Sequence, residues 1–215
     1  MAYHADYNKL YPVGDEFRLE ANKVHAAILE VYEEIEKVHN TWHGNQYTML
    51  VDMCNNKFLN YFNEQLLWLI ADVPYVIEYD AIGYAAVDGL NGIFPDARQT
   101  PPEPIPAPKD FAGEVIDLSD EQASAEKRFQ TKVSALFGTA RQSLNNIQGI
   151  FDATRPIWDT PSGNDARRRF AETRSQLDAD FNQISRIIDS QLSAAIQHFI
   201  ANEENRKKDA TNFGQ

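Results

Sequence analysis

Phe17, Ala21, Val24, Ile28, Val31, Ile35, Val38 and Trp42 follow one another at alternating steps of four and three. On an α-helix such residues form one narrow apolar stripe, and only lengthwise packing against other helices covers a stripe of that shape. The same alternation ends on Trp158, running through Phe129, Val133, Leu136 or Phe137, Ala140, Leu144, Ile147, Phe151 and Thr154, displaced by 158 − 42 = 116 residues. The chain therefore reads as a duplicated helical hairpin.

The pattern predicts helices from about Asp15 to Trp42 and from about Asn45 to Asp88, the second ended by Gly89 with Pro95 beyond. Phe58, Phe62, Leu66, Leu69, Val73, Ile77 and Tyr84 supply its apolar face, and Pro74 removes a backbone donor, which predicts a kink one turn earlier. Periodicity then stops until Val115. Pro101, Pro102, Pro104, Pro106 and Pro108 mark an extended, semi-rigid linker, long enough to let the second hairpin pair in more than one orientation. Ser119 and Gln122 form a capping box for a third helix that runs to about Trp158, with Pro156 near its end. A fourth extends from about Asn164 to Arg206 with Phe170, Leu177, Phe181, Ile184, Ile188, Leu192, Ala195 and Phe199 on one face. Subtracting 115 superimposes the second helices, Phe199 on Tyr84, Leu192 on Ile77 and Phe181 on Leu66.

The predicted organisation is an N-terminal tail over 1–13, a hairpin over 14–88, a Pro-rich linker over 89–118, a second hairpin over 119–206 and a frayed polar tail over 207–215. The predicted fold is all-α, two tandem antiparallel hairpins forming a four-helix bundle.

Charge narrows the partners. The net charge is −12, and the only basic concentration is Arg167, Arg168 and Arg169, so nucleic acid and anionic membrane surfaces are not expected to bind. The arginines stand near a helix start, where the dipole disfavours them, and are read as pairing with Asp159 or Asp165 rather than marking a contact with an acidic partner. Glu30, Glu33, Glu34 and Glu36 read as a solvated face. Cys54, the only cysteine, reads as a buried structural thiol between Val51 and Phe58. The first residues contain no apolar h-region, and the most apolar run, Leu66 to Val73, is too short to span a bilayer. Neither a cleaved secretory signal nor a transmembrane helix is expected.

Trp42-His43-Gly44 at the first hairpin turn, with Tyr84 and Asp88 in Tyr-x-x-x-Asp spacing at the end of the second helix, resembles the WXG (ESAT-six-like) family. That resemblance implies an antiparallel helical hairpin exported by a type VII secretion system. The second half departs from the motifs: Trp158 and Gly163 are separated by four residues instead of one, and Phe199 replaces tyrosine ahead of Glu203. Family hairpins associate in pairs, so a tandem copy resembles such a pair fused in one chain. The implied contact residues are Trp42, Gly44, Tyr84, Asp88, Trp158, Gly163, Phe199 and Glu203. Implied partners are a secretion ATPase and a further helical export partner, with the chain a monomer or homodimer, secreted without a cleaved signal peptide. Trp42 and Trp158 also read as plugs closing the bundle ends, and Tyr84 with Asp88 as an ordinary helix end.

The alternative is a cytoplasmic helical-bundle adaptor or chaperone that binds a partner helix in a groove. Carboxylate-bridged di-iron bundles need Glu-x-x-His on two helices, whereas Glu36 with His39 stands alone, and His39 with His43 lacks a third spaced zinc ligand. No Gly-rich phosphate loop, nucleophile elbow or supported acid–base pair occurs, so the reading is non-enzymatic and without a cofactor.

Overall fold

The computed structural model describes residues 4–39, 45–109 and 120–212, except for the side chains of His4, of 120–126 and of several positions beyond 194. It is mostly helical. A short helix α1 (Tyr7–Leu10), capped by the Asp6 carboxylate on the Lys9 amide, leads into α2 (Val13–Val38). Trp42, His43, Gly44 and Ser119 lie outside the described residues.

Residues 45–87 are helical throughout, as α3 (Asn45–Met53), a π-helical turn at Cys54–Leu59, α4 (Asn60–Leu67), a second π-turn at Trp68–Asp72 and α5 (Val73–Val87). The disturbance predicted one turn before Pro74 takes the form of that second π-turn. There the Val73 amide bonds the Trp68 carbonyl five residues back, just before proline interrupts the donor series. The rod ends as predicted at Gly89: a φ of +78° lets Leu90 N–H reach Ala85 O at 2.9 Å and Gly89 N–H reach Ala86 O at 3.0 Å, a Schellman closure.

Helix α6 (Asp120–Thr154) stops four residues short of the predicted end, a correction that Pro156 explains. Trp158 has left the helix. It lies in a two-residue strand β2 (Trp158–Asp159), paired antiparallel with β1 (His4–Ala5) in the register Ala5 to Trp158. Helix α7 (Pro161–Asn212) begins three residues before the predicted start: Thr160 Oγ1 caps the Gly163 amide at 3.0 Å, and Pro161 occupies the first helical position. Its helical course continues through the segment expected to fray, as far as Asn212.

The helices pack pairwise and antiparallel. The most extensive contact joins α2 to α6, with Phe17 edge-on to Phe151 at 5.2 Å near one end and Lys132 on Glu30 and Glu34 at 3.0 Å near the other. The glutamate run is therefore not wholly solvated, since part of it holds α6. Arg18 meets Glu78 and Tyr32 meets the Cys54 carbonyl between α2 and the rod; Gln65 meets Thr173 between the rod and α7; Gln130 meets Asp189 between α6 and α7. A continuous row of rings runs through the core: Tyr32 to Phe62 at 6.3 Å, Phe62 to Phe181 at 5.9 Å and Phe181 to Phe137 at 4.6 Å. Each such pair adds about 0.5–1.5 kcal/mol beyond area burial, so the row ties α2, the rod, α7 and α6 into one core.

Every described stripe residue of α2 is buried, and so are Phe129, Val133, Phe137, Ala140, Leu144, Ile147, Phe151 and Thr154 of α6. Phe137 rather than Leu136 fills the ambiguous position, Leu136 being partly buried.

The described part of the Pro-rich segment, 89–109, carries no helix or strand, but it is not a free tether. Residues 94–109 form a strap along the surface between α2 and the rod. Tyr11 donates to Pro95 O at 3.1 Å, His25 Nε2 meets Glu103 O at 2.8 Å, and Asn63 exchanges two hydrogen bonds with Ile105 at 2.8 and 3.2 Å. Ile105 is itself buried in the core.

Candidate functional site

The rod's last helix, Val73–Val87, contains only two charged residues, Glu78 and Asp80, and both organise the end of the molecule where α6 passes into α7. Trp158, fully buried, directs its indole N–H to Asp80 Oδ2 at 2.7 Å. Thr160 Oγ1 donates to the same oxygen at 3.3 Å, and Ser162 Oγ bonds it as well. The Thr160 and Ser162 hydroxyls themselves lie 2.9 Å apart. The carboxylate thus satisfies a buried N–H that would otherwise lose its water without replacement.

Phe151 and Arg167 also pack on the indole. Phe151 stacks at 6.4 Å, and the Arg167 guanidinium lies 5.5 Å from the ring centroid while donating to Trp158 O at 3.0 Å and Phe151 O at 3.3 Å. Burial lowers the Arg167 pKa from its ordinary value. Gly163 closes the site. A Cβ there would stand 2.6 Å from Trp158 O and 2.8 Å from indole Cδ2, so Trp158 and Gly163 are in direct packing contact.

Tyr84 lies half-buried one turn beyond Asp80, and Asp88 is exposed at the C-cap with its amide on Tyr84 O at 3.4 Å. Desolvation and a hydrogen bond to Asp88 raise the pKa of Tyr7. Trp158, Gly163, Tyr84 and Asp88 are therefore all served by α5 and the segments packed on its C-terminal half. Trp42 and Gly44 lie outside the described residues; Phe199 and Glu203 lie within α7, but their side chains do not belong to the described set.

Glu78, 1 % exposed, anchors a second network that the sequence reading did not anticipate. Arg18 Nη1 donates to its Oε1 at 2.5 Å, the Arg98 amide donates to Oε2 at 2.8 Å, and Arg18 Nη2 reaches Arg98 O at 2.7 Å. The hydrogen bond to Glu78 raises the Arg18 pKa. Two carboxylates alone in an apolar helix were the available signal for both networks.

The three consecutive arginines separate in role. Arg168 pairs with Asp165, as expected, and with Glu172 at 3.3 Å; Arg167 covers Trp158; Arg169 lies 4.3 Å over the Trp68 ring. Among the described residues no group of three His, Cys, Asp or Glu side chains is placed to hold a metal ion, and no described helix is long and apolar enough to cross a membrane. Comparison of the chain with protein-family models, curated proteins and solved structures returns no match.

Proposed function

We propose that this chain is a non-enzymatic substrate of a type VII secretion system, or a partner escorting one, built like a WXG pair fused into one polypeptide and packed as a four-helix bundle of two hairpins. The observation that carries this reading is the way the two halves cover each other. Adding 116 to the α2 stripe turns Phe17, Ala21, Val24, Ile28, Val31, Ile35 and Val38 into Val133, Phe137, Ala140, Leu144, Ile147, Phe151 and Thr154, all buried.

Cross-contacts follow the same register. Phe17 packs on Phe151, the counterpart of Ile35, while Glu34 pairs with Lys132, the counterpart of Glu16. In the second helices Phe62 packs on Phe181, which is the counterpart of Leu66 at an offset of 115. Position i of one half thus meets the partner of a position mirrored about the helix centre, the relation expected of two similar subunits around a pseudo-two-fold axis. Each hairpin's apolar seam is completed by the other.

The secretion ATPase would read Tyr84 and Asp88, an exposed carboxylate one turn after a half-buried phenol. In a host with an active system, the wild-type chain should reach the medium, Tyr84→Ala should stay inside while keeping its helical spectrum, and deletion of the ATPase should abolish export. Export that persists without the ATPase would exclude this function.

A further inference from the structure

The two halves differ most in what lies between their helices. In the first, the strap fills the groove between α2 and the rod: His25 and Asn63 hold Glu103 and Ile105. In the second, the counterparts of those two residues are Arg141 (25 + 116) and Asp178 (63 + 115), and they bond each other at 2.5 Å across an open cavity of about 490 Å³ between α6 and α7. A further cavity of about 510 Å³ continues the groove past Thr131, Ser134 and Ser185. These are the counterparts of Asp15, Arg18 and Ile70, which lie beside strap residues Arg98 and Thr100 in the first half. This groove, which no described segment fills, thus retraces the strap's path at those five positions.

We propose that the groove between α6 and α7 receives an extended, proline-containing segment of a partner protein, with an acidic residue beside an apolar one, laid as the strap is laid in the first half. The chemistry of the lining fits that occupant. Proline-rich backbone offers carbonyl acceptors and few donors, and the first cavity presents donors in Arg141, Asn145, Gln148 and Arg174. Two arginines against Asp178 leave the first cavity with one net positive charge in a chain of net charge −12, while Asp189 in the second brings the groove as a whole to neutral, so the end that Arg141 and Arg174 line is the part complementary to the acidic residue of a segment resembling Glu103-Pro104-Ile105. The described strap, residues 94–109, is engaged in the first groove, so a second segment of that kind is assigned to another molecule. The inference rests on the internal repeat and not on export.

The probe is a fluorescein-labelled peptide copying residues 100–108, titrated onto the intact protein by fluorescence anisotropy. Saturable binding is expected, weakened at least about tenfold when the peptide carries Ile105→Asp. Ala171→Trp in the protein should weaken it by a similar factor, because Ala171 is exposed and lines the cavity, so the substitution blocks the groove without entering the core. Circular dichroism confirms that the variant is folded. Absence of saturation up to about 1 mM peptide, or binding undiminished by Ala171→Trp, overturns the proposal. Sedimentation supplies the remaining outcome: self-association of the intact protein that Ala171→Trp dissolves would assign the groove to a second copy's strap and overturn the partner assignment.

Discussion

The Trp158 indole N–H and the Asp80 carboxylate meet at 2.7 Å across 78 residues of sequence, joining the turn between α6 and α7 to the end of the rod. Removing the acceptor strands a buried donor, which costs about 1–3 kcal/mol. Asp80→Ala should lose that much in urea unfolding, whereas Asp80→Asn, which retains a carbonyl oxygen, should lose less. Equal stability of Asp80→Ala and wild type would show that the bond is energetically idle.

Two glycines allow a controlled comparison. Gly163→Ala should destabilise by about 1–3 kcal/mol through overpacking against Trp158. Gly149→Ala, on α6 with nothing near the added methyl, should stabilise by about 0.5–1 kcal/mol by favouring the helix. Thermal melts of both variants check the opposite signs, and two shifts in the same direction would contradict this packing.

Burial pushes the Cys54 thiol up to about 12 from an ordinary 9.0. Below pH 9 both folded and unfolded chains hold the proton, and the contribution is complete. Between 9 and about 12 the unfolded chain releases it first, so stability declines as pH rises. Cys54→Ala should have a shallower decline over that window in denaturant titrations. At pH 8 the folded thiol should resist a disulfide reagent and react on unfolding; rapid labelling of folded protein would place Cys54 at the surface instead.

Cleavage at a protease site inserted within 111–118 should leave the two fragments associated, because α2 lies along α6 and the rod along α7. Co-elution in size-exclusion chromatography is the expected result. Fragments that separate as independent monomers would show that neither half needs the other to cover its seam.

The periodic part of this structure was legible in the residues alone. A stripe at steps of four and three reports one-sided burial over many turns, so α2, the rod, α6 and α7 follow from it, as do most of their described core-facing residues, with Tyr84 only half-buried. Gly89 ended the rod where its positive φ was needed. Pro74 announced a disturbance whose form, a π-turn, depended on how the carbonyls before it re-paired.

Tertiary packing decided the rest. The stripe carried Trp158 onto a helix, yet Pro156 and pairing with Ala5 took it into a strand, where Asp80, Gly163 and Arg167 enclose it. The linker's prolines predicted an extended chain, but its anchorage on His25, Asn63 and the pair formed by Arg18 and Glu78 required residues 20 to 80 positions away in sequence to converge. Local pattern encodes which side of a helix leaves water, because every turn repeats the requirement. The partner of a single buried polar group is set once, by the path of the whole chain, and no repeating signal records it.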